Sequence, residues 1–312
     1  MDRRRFLKTA AIAGLGAALL PGCMPAPAKP APARADVGLT GSQAPPADDK
    51  LVVARGTDPA DVLSRGLAGL GGIGRFVKPG NSVVLKPNFS VPRLPEEAAT
   101  TNNGLVAALV KACLGAGAKE VRVIDYPFTS PTICLEKTGI KAAVTAAGGK
   151  VYALNNGRDR YFRLVTIGGE VLATAEFSSD VLDADVFINM PILKHHNMAG
   201  LTMGLKNYMG LVWDRGYFHR TDLHRCIAEA VAFKKPHLTV LDALRGITDH
   251  GPMGPGPIRE YNEVVLGTDP VAVDAYGAML FGVKPADIGY IPLAAKLGVG
   301  RMDWEKLTVI KV

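Results

Sequence analysis

The stretch Asp185-Val186-Phe187-Ile188-Asn189-Met190-Pro191-Ile192-Leu193-Lys194-His195-His196 decides how the rest of the chain is read. An apolar run breaks at a proline and ends in one lysine and two histidines. Such a run is predicted to be a buried strand that delivers polar residues at its C-terminal end, where open α/β sheets bind ligands. The segment after it, Leu201-Thr202-Met203-Gly204-Leu205-Lys206-Asn207-Tyr208-Met209-Gly210, is apolar and Gly-rich yet carries a Lys-Asn pair. Lys194, His195, His196, Lys206 and Asn207 are therefore expected to converge.

Upstream, strands are expected over residues 51–54, 82–88, 120–125 and 151–154. The second ends in Lys86-Pro87-Asn88 and the third in Asp125. Helices are expected between them. One opens at Asp58-Pro59, with an N-cap and a proline in the first turn; another follows Thr100-Thr101-Asn102; a third covers residues 131–147. Gly69-Leu70-Gly71-Gly72 closes the first helix and is not a phosphate loop, because no Gly-Lys-Ser/Thr follows. A β-hairpin is expected from residues 162–167 and 170–175 around Gly168-Gly169. Downstream, a helix over 223–233 leads to a strand over 238–242 that ends in Asp242. A stiff Gly/Pro loop over 251–257, a strand over 263–266, helices over 269–280 and 285–297, and a strand over 307–310 follow. Asp269 before Pro270 reads as a helix cap. The alternation specifies an α/β fold, a mainly parallel sheet with helices on both faces and a small β-hairpin insertion. There is no internal repeat.

Of 312 residues, 48% are hydrophobic and 21% charged, the composition of a globular chain with a substantial core. The net charge is +7, of which the first 22 residues supply three units (Arg3, Arg4, Arg5 and Lys8 against Asp2). With 6% aromatic residues and no basic stripe, nucleic acid is not an expected partner. Cys23, Cys113, Cys134 and Cys226 include no Cys-x-x-Cys pair, which excludes the ferredoxin and zinc-ribbon spacings. The three later cysteines read as buried thiols, with a Cys113–Cys134 disulfide left open by the export signal.

Arg3-Arg4-Arg5-Phe6-Leu7-Lys8 resembles the twin-arginine export signature, and an apolar run from Ala10 to Leu20 follows, too short for a typical membrane span. Leu20-Pro21-Gly22-Cys23 resembles a lipobox, which would lipidate Cys23 and anchor the chain to a membrane; Ala33-Arg34-Ala35 is the alternative cleavage site. Residues 1–23 are thus expected to be a signal peptide read by the twin-arginine machinery, and 24–49 a Pro/Ala-rich linker. Residues 50–312 are expected to be a single α/β domain on the outer side of the cytoplasmic membrane.

Several motifs together resemble the domain of unknown function 362 family. They are Lys86-Pro87-Asn88, the run from Asp185 to Pro191 with Lys194 and His196, Leu205-Lys206-Asn207 with Gly210, His224, Asp242, Gly251-Pro252-Met253-Gly254 and Asp269-Pro270-Val271-Ala272-Val273-Asp274. The resemblance covers about residues 80–300 and implies an α/β fold with a shared site. Many relatives carry a fused ferredoxin-like Cys segment; this chain has none, so no iron–sulfur cluster is expected.

Three lysines (Lys86, Lys194, Lys206), each close to an Asn or His, point to a small anionic ligand whose charge offsets the cost of gathering them. The plain alternative is that their stems pack and their ammoniums reach water. Crowding would also lower a lysine pKa and make it a base or a Schiff-base nucleophile. The candidate catalytic set is Lys194, His196, Lys206 and Asp242. Lys86, Asn88, Asn189, Asn207 and His224 are the candidate ligand-binding residues. His196, His219, His224 and Asp274 are candidate ligands for a divalent metal. Two functions stay open: an enzyme acting on a small anion with a metal or redox cofactor, and a non-catalytic protein holding an anionic cofactor for a redox partner.

Overall fold

The structure, a computed structural model, describes residues 48–312. The expected export signal, the lipobox and all but the end of the linker lie outside the described residues.

The strands are β1 (Lys50–Arg55), β2 (Ser82–Pro87), β3 (Glu120–Asp125), β4 (Lys150–Ala153), β5 (Phe162–Thr166) and β6 (Thr174–Ser178), then β7 (Val186–Met190), β8 (Lys194–His196), β9 (Gly200–Thr202), β10 (Leu238–Ile247), β11 (Ile258–Gly267) and β12 (Thr308–Lys311). Eight of them form one sheet in the order β12-β1-β11-β10-β7-β2-β3-β4. Every strand of it runs the same way except β11, which is antiparallel to both its neighbours. The two-residue period of a strand separates the two cores. Val83 and Leu85 face one apolar cluster with Val186 and Ile188, while Val84 and Phe187 face the other.

Helices α1 (Pro59–Gly69), α2 (Asn103–Gly115), α3 (Pro131–Lys137) and α4 (Ile140–Ala146) come first in the chain. Their apolar residues fill the first cluster. After α5 (Arg158–Tyr161) and α6 (Ser179–Asp183) come α7 (Gly204–Asn207), α8 (Arg215–Arg220), α9 (Leu223–Phe233), α10 (Pro270–Phe281) and α11 (Tyr290–Lys296). These later helices fill the second cluster. The caps sit where the sequence puts them. Asp58 accepts from the Asp61 N–H, Asn102 from those of Gly104 and Leu105, and Asp269 from those of Val271 and Ala272. Each such cap contributes about 1 kcal/mol.

Several boundaries differ from expectation. The helix expected over 131–147 divides into α3 and α4 at Gly139, whose φ of +74° no helix interior accepts. The hairpin pairs Phe162 with Ser178, so its second strand starts later than expected. The intervening loop instead wraps the buried Glu229 carboxylate, which accepts from the Glu170, Val171 and Leu172 N–H groups. The strand expected to end at Asp242 continues to Ile247, because β11 pairs along it past a bulge between Ala243 and Arg245. Cys113, Cys134 and Cys226 are free, buried thiols, so the Cys113–Cys134 bridge does not form; burial pushes the Cys113 thiol up to about 12.

The position of the cleft follows from connectivity. The chain leaves β2 for β3 over the face that carries α2, and leaves β7 for β10 over the face that carries α7 and α9. The two paths diverge between the adjacent strands β2 and β7, which opens a crevice at their C-terminal ends.

Candidate functional site

At that crevice β2 delivers Lys86 and Asn88, β3 ends in Asp125, and the chain beyond β7 passes Lys194 and His196 before α7 presents Lys206 and Asn207. The side chains surround a cavity of about 360 Å³ including its open mouth. The enclosed part of it is only about 30 Å³, room for a couple of water molecules, so a ligand would seat one small group there and lie across the open mouth. Its lining includes four cations, Lys86, Lys194, Lys206 and Arg215, and one carboxylate, Asp125.

The four cations are not equivalent. Lys86, 1% exposed, pairs with Asp125 Oδ1 at 2.7 Å and also donates to Asn207 Oδ1 at 2.7 Å and to the Pro87 carbonyl at 3.0 Å. Burial lowers its pKa and Asp125 pulls it back up. Asp125 accepts from the Phe89 and Tyr126 N–H groups as well, which leaves the pair saturated. Gly210 lies directly against it, where a Cβ would collide with Asp125 Oδ1 and Lys86 Nζ. Lys194 donates to the Ala99 carbonyl at 2.6 Å, the Pro252 carbonyl at 3.0 Å and Asn88 Oδ1 at 3.3 Å. Burial lowers it to about 7, yet three converging acceptors are satisfied only by an ammonium. Lys194 thus staples two loops to the sheet.

Lys206 differs. It is 6% exposed, and the partner its Nζ has among the described residues is the thioether of Met209 at 3.0 Å, a weak acceptor. Burial lowers its pKa to about 7, and the like charges of Lys194, Arg215 and Lys86 push the same way. Arg215 has no carboxylate partner among the described residues either. It donates to the Tyr126 and Pro127 carbonyls, and its guanidinium lies 3.8 Å from the Tyr126 ring centroid and 4.7 Å from that of Phe128. Burial lowers its pKa too.

The asparagines form a scaffold. Asn207 donates to the Lys86 carbonyl and to Asn189 Oδ1, and its own Oδ1 accepts from Lys86 and Asn88. Asn189 donates to the Gly204 carbonyl, and Asn88 Oδ1 accepts from Lys194 and Ser90. Of the three asparagines expected to bind ligand, Asn88 and Asn207 line the cavity and Asn189 does not; the hydrogen bonds named here hold the lysines and α7 in place.

The histidines and remaining carboxylates are dispersed. His196 lines the cavity, but its Nδ1 is occupied by the Met198 and Ala199 N–H groups at 3.1 and 3.2 Å. His219 lies near enough to Lys206 for that charge to depress its pKa, after burial. His224 stacks on Tyr290 away from the cavity lining. Asp274 caps α7, accepting from Gly204 and Leu205 N–H at 2.7 and 2.9 Å, and burial raises it to about 7. Among the described residues no group of three or more His, Cys, Asp and Glu side chains could hold a metal ion. The expected set of His196, His219, His224 and Asp274 therefore does not gather: backbone N–H groups take up His196 Nδ1 and the Asp274 carboxylate, and the His224 ring stacks on Tyr290. Asp242 is corrected likewise: it is buried mid-strand, raised to about 6 by that burial, and accepts from the Asn102 and Leu244 N–H groups outside the cleft. Arg215, Tyr126 and Phe128 escape the sequence reading. Asp214, which caps α8 through the Tyr217 N–H, is the signal that sets Arg215 in a helix's first turn.

A solved structure of similar fold is the lactate racemase apoprotein from Thermoanaerobacterium thermosaccharolyticum, with a TM-score of 0.52 and 11% identity. The match covers 73% of this chain and 56% of that one, so the chain spans little more than half the neighbour's length, and the likeness is one of fold. The thylakoid-associated protein sll1697 of Synechocystis sp. is 29% identical over 238 residues, 74% of this chain and 72% of the relative. The family described as Domain of unknown function (DUF362) matches residues 83–279, the segment that carries every lysine of the cleft, and the chain belongs to that family.

Proposed function

We propose that the cleft binds a small ligand through a carboxylate or phosphate group, with Lys206 as its direct partner and Arg215 completing the charge. The observation that carries this is the ammonium of Lys206, buried with a thioether where a counter-charge belongs. An uncompensated buried cation costs several kcal/mol, and an anion removes that cost. The structural neighbour is an apoprotein, which supports a cofactor-holding role for the fold, and a cofactor's carboxylate or phosphate would meet the same donors. The lowered pKa of Lys206 favours a second reading on the same site, in which the lysine exchanges a proton with the bound ligand.

A thermal-shift titration with inorganic phosphate, pyrophosphate and a series of mono- and dicarboxylates, against sodium chloride at matched ionic strength, tests the reading. An anion at a hundred times its Kd stabilises by about 2.7 kcal/mol. For a domain of this size that raises Tm by roughly 5–10 °C. Shifts no larger than those of chloride across the whole series would remove the anion site.

We also propose that the domain acts outside the cytoplasmic membrane, held there by a lipid on Cys23 and a flexible linker. The twin-arginine signature and the lipobox support this, as does a relative named for its association with thylakoids. Among the described residues no helix is long and apolar enough to cross a membrane. Replacing both Arg3 and Arg4 by Lys is expected to leave unprocessed protein in the cytoplasm, and Cys23→Ala to release the protein into the soluble periplasmic fraction. Fractionation that finds the double variant processed outside would end the twin-arginine reading.

A further inference from the structure

We propose that His196 serves the cleft as a neutral hydrogen-bond donor through Nε2–H, the second contact to the ligand oxyanion, and neither as a proton acceptor nor as a metal ligand. This deepens the anion reading above and rests on it. The turn between β8 and β9 sets the state of the ring. There the backbone N–H groups of Met198 and Ala199 both point at His196 Nδ1, at 3.1 and 3.2 Å. A backbone N–H is always a donor, so Nδ1 must present its lone pair. The single proton of a neutral imidazole then resides on Nε2, a tautomer inferred from these partners. His196 is 4% exposed and lines the cavity, and its hydrogen bonds among the described residues are both made at Nδ1, which leaves Nε2 for the cleft.

Protonating the ring would place a proton on Nδ1 against two N–H groups. The titratable groups that face the ring from neighbouring elements oppose it with whatever positive charge they carry: Lys206 on α7, Lys194 on the same strand, His219 on α8 and His195 beside it. Burial acts in the same direction, and the pKa lies far below its ordinary value. A metal is refused for the same reason. A neutral imidazole binds a metal through its bare nitrogen, and here that nitrogen already accepts two hydrogen bonds.

The ligand chemistry follows from what the cleft leaves unspent. Asn207, Asn88 and Asp125 have committed their acceptor atoms to Lys86, Lys194, Ser90 and backbone N–H groups. What remains facing the cavity is the Lys206 ammonium, the His196 N–H, the Arg215 guanidinium and hydroxyls such as Thr202. Hydroxyls aside, these are donors only. Such a site favours a fully ionised group, a carboxylate or a phosphate dianion, over a protonated one that brings a donor of its own.

Two measurements test the inference. In the ligand-free protein, ¹⁵N correlation spectra of the histidine rings are expected to show His196 as the Nε2–H tautomer, unchanged from pH 8 down to pH 5. An Nδ1–H tautomer, or a titration within that range, overturns the proposal whatever the ligand. The second measurement compares two variants by titration with inorganic phosphate and with the best carboxylate of the series. In His196→Asn the side-chain oxygen can still accept from the turn N–H groups, but the donor in the cleft is gone. Its affinity is expected to fall about tenfold, the value of one hydrogen bond to a charged group. His196→Gln returns an N–H near the position of Nε2 and is expected to recover part of the loss. Unchanged affinity in His196→Asn, alongside lost affinity in Lys206→Met, overturns the His196 role and leaves the anion site standing. A wild-type protein that binds none of the anions overturns the anion site and with it the donor role.

Discussion

Lys206→Met protein is expected to melt above wild type at pH 7 in the absence of ligand, and to bind carboxylates and phosphate more weakly by roughly 2–4 kcal/mol. Methionine keeps the length and apolar bulk of the lysine stem and removes the ammonium that burial disfavours. The pH dependence separates this from generic repacking. In the folded state the pKa of Lys206 falls to about 7, whereas in the unfolded chain it returns to its ordinary value of 10.5. Between those values the unfolded chain binds more protons, so stability rises with pH across the window. The penalty is fully present below pH 7 and vanishes near 10.5. Each pH unit across that window is worth about 1.4 kcal/mol. The variant is expected to lack this share of the rise. Anion binding pulls the proton back onto Lys206, so at pH 8 binding by wild type takes up close to one proton. Calorimetry in buffers of different ionisation enthalpy reads that uptake directly. A wild-type enthalpy independent of buffer, or a variant that retains wild-type affinity, would return Lys206 to a structural role.

The sequence exposes the lysines because each breaks an apolar pattern, and a broken pattern is visible without a structure. Lys86 interrupts the end of a buried strand, Lys194 follows one, and Lys206 sits in a segment otherwise fit only for packing. Their division of labour is hidden, because it depends on partners far away in the chain. Asp125, 39 positions beyond Lys86, neutralises it; Ala99 and Pro252, far from Lys194 on either side in the chain, share its ammonium. Only the third lysine meets neither kind of partner. A lone sequence carries no sign of that difference, since pairing is a property of the folded chain.

Partners outside the sequence pattern also account for where Asp242, Asp274 and the asparagines are engaged. Each has the chemistry of a site residue, and each is buried next to the cleft or close to it. What takes up their polar atoms is the need of buried backbone N–H and C=O groups for partners. The irregular segments around the cleft supply many such groups. Asp274 goes to the N–H groups at the start of α7, Asp242 to those of Asn102 and Leu244, and Asn189 to the Gly204 carbonyl. The fold class, by contrast, is legible from the alternation of apolar runs and capped helices, which needs only local rules. β11 departs from it, a strand whose direction is set by pairing with β10 on one side and β1 on the other.

The pair that closes the floor of the cleft gives the largest expected loss of stability. Lys86→Met leaves the Asp125 carboxylate, 1% exposed in its side chain, with two backbone N–H groups and no cation. Breaking a buried pair from one side costs about 3–5 kcal/mol. That is a large share of the roughly 5–15 kcal/mol that holds a domain together. Urea denaturation is expected to show a lower midpoint with an unchanged slope, since the surface exposed on unfolding is the same. Asp125→Asn strands the ammonium instead, against Asn207 and the Pro87 carbonyl, and is expected to cost a similar amount. The double variant, Lys86→Met with Asp125→Asn, carries neither charge, and its loss should be clearly smaller than the sum of the two. A double-mutant cycle reads the difference as the coupling between the residues. Losses that simply add would mean that the pair contributes nothing as a pair, and the net charge facing the ligand would then have to be counted with Lys86 included.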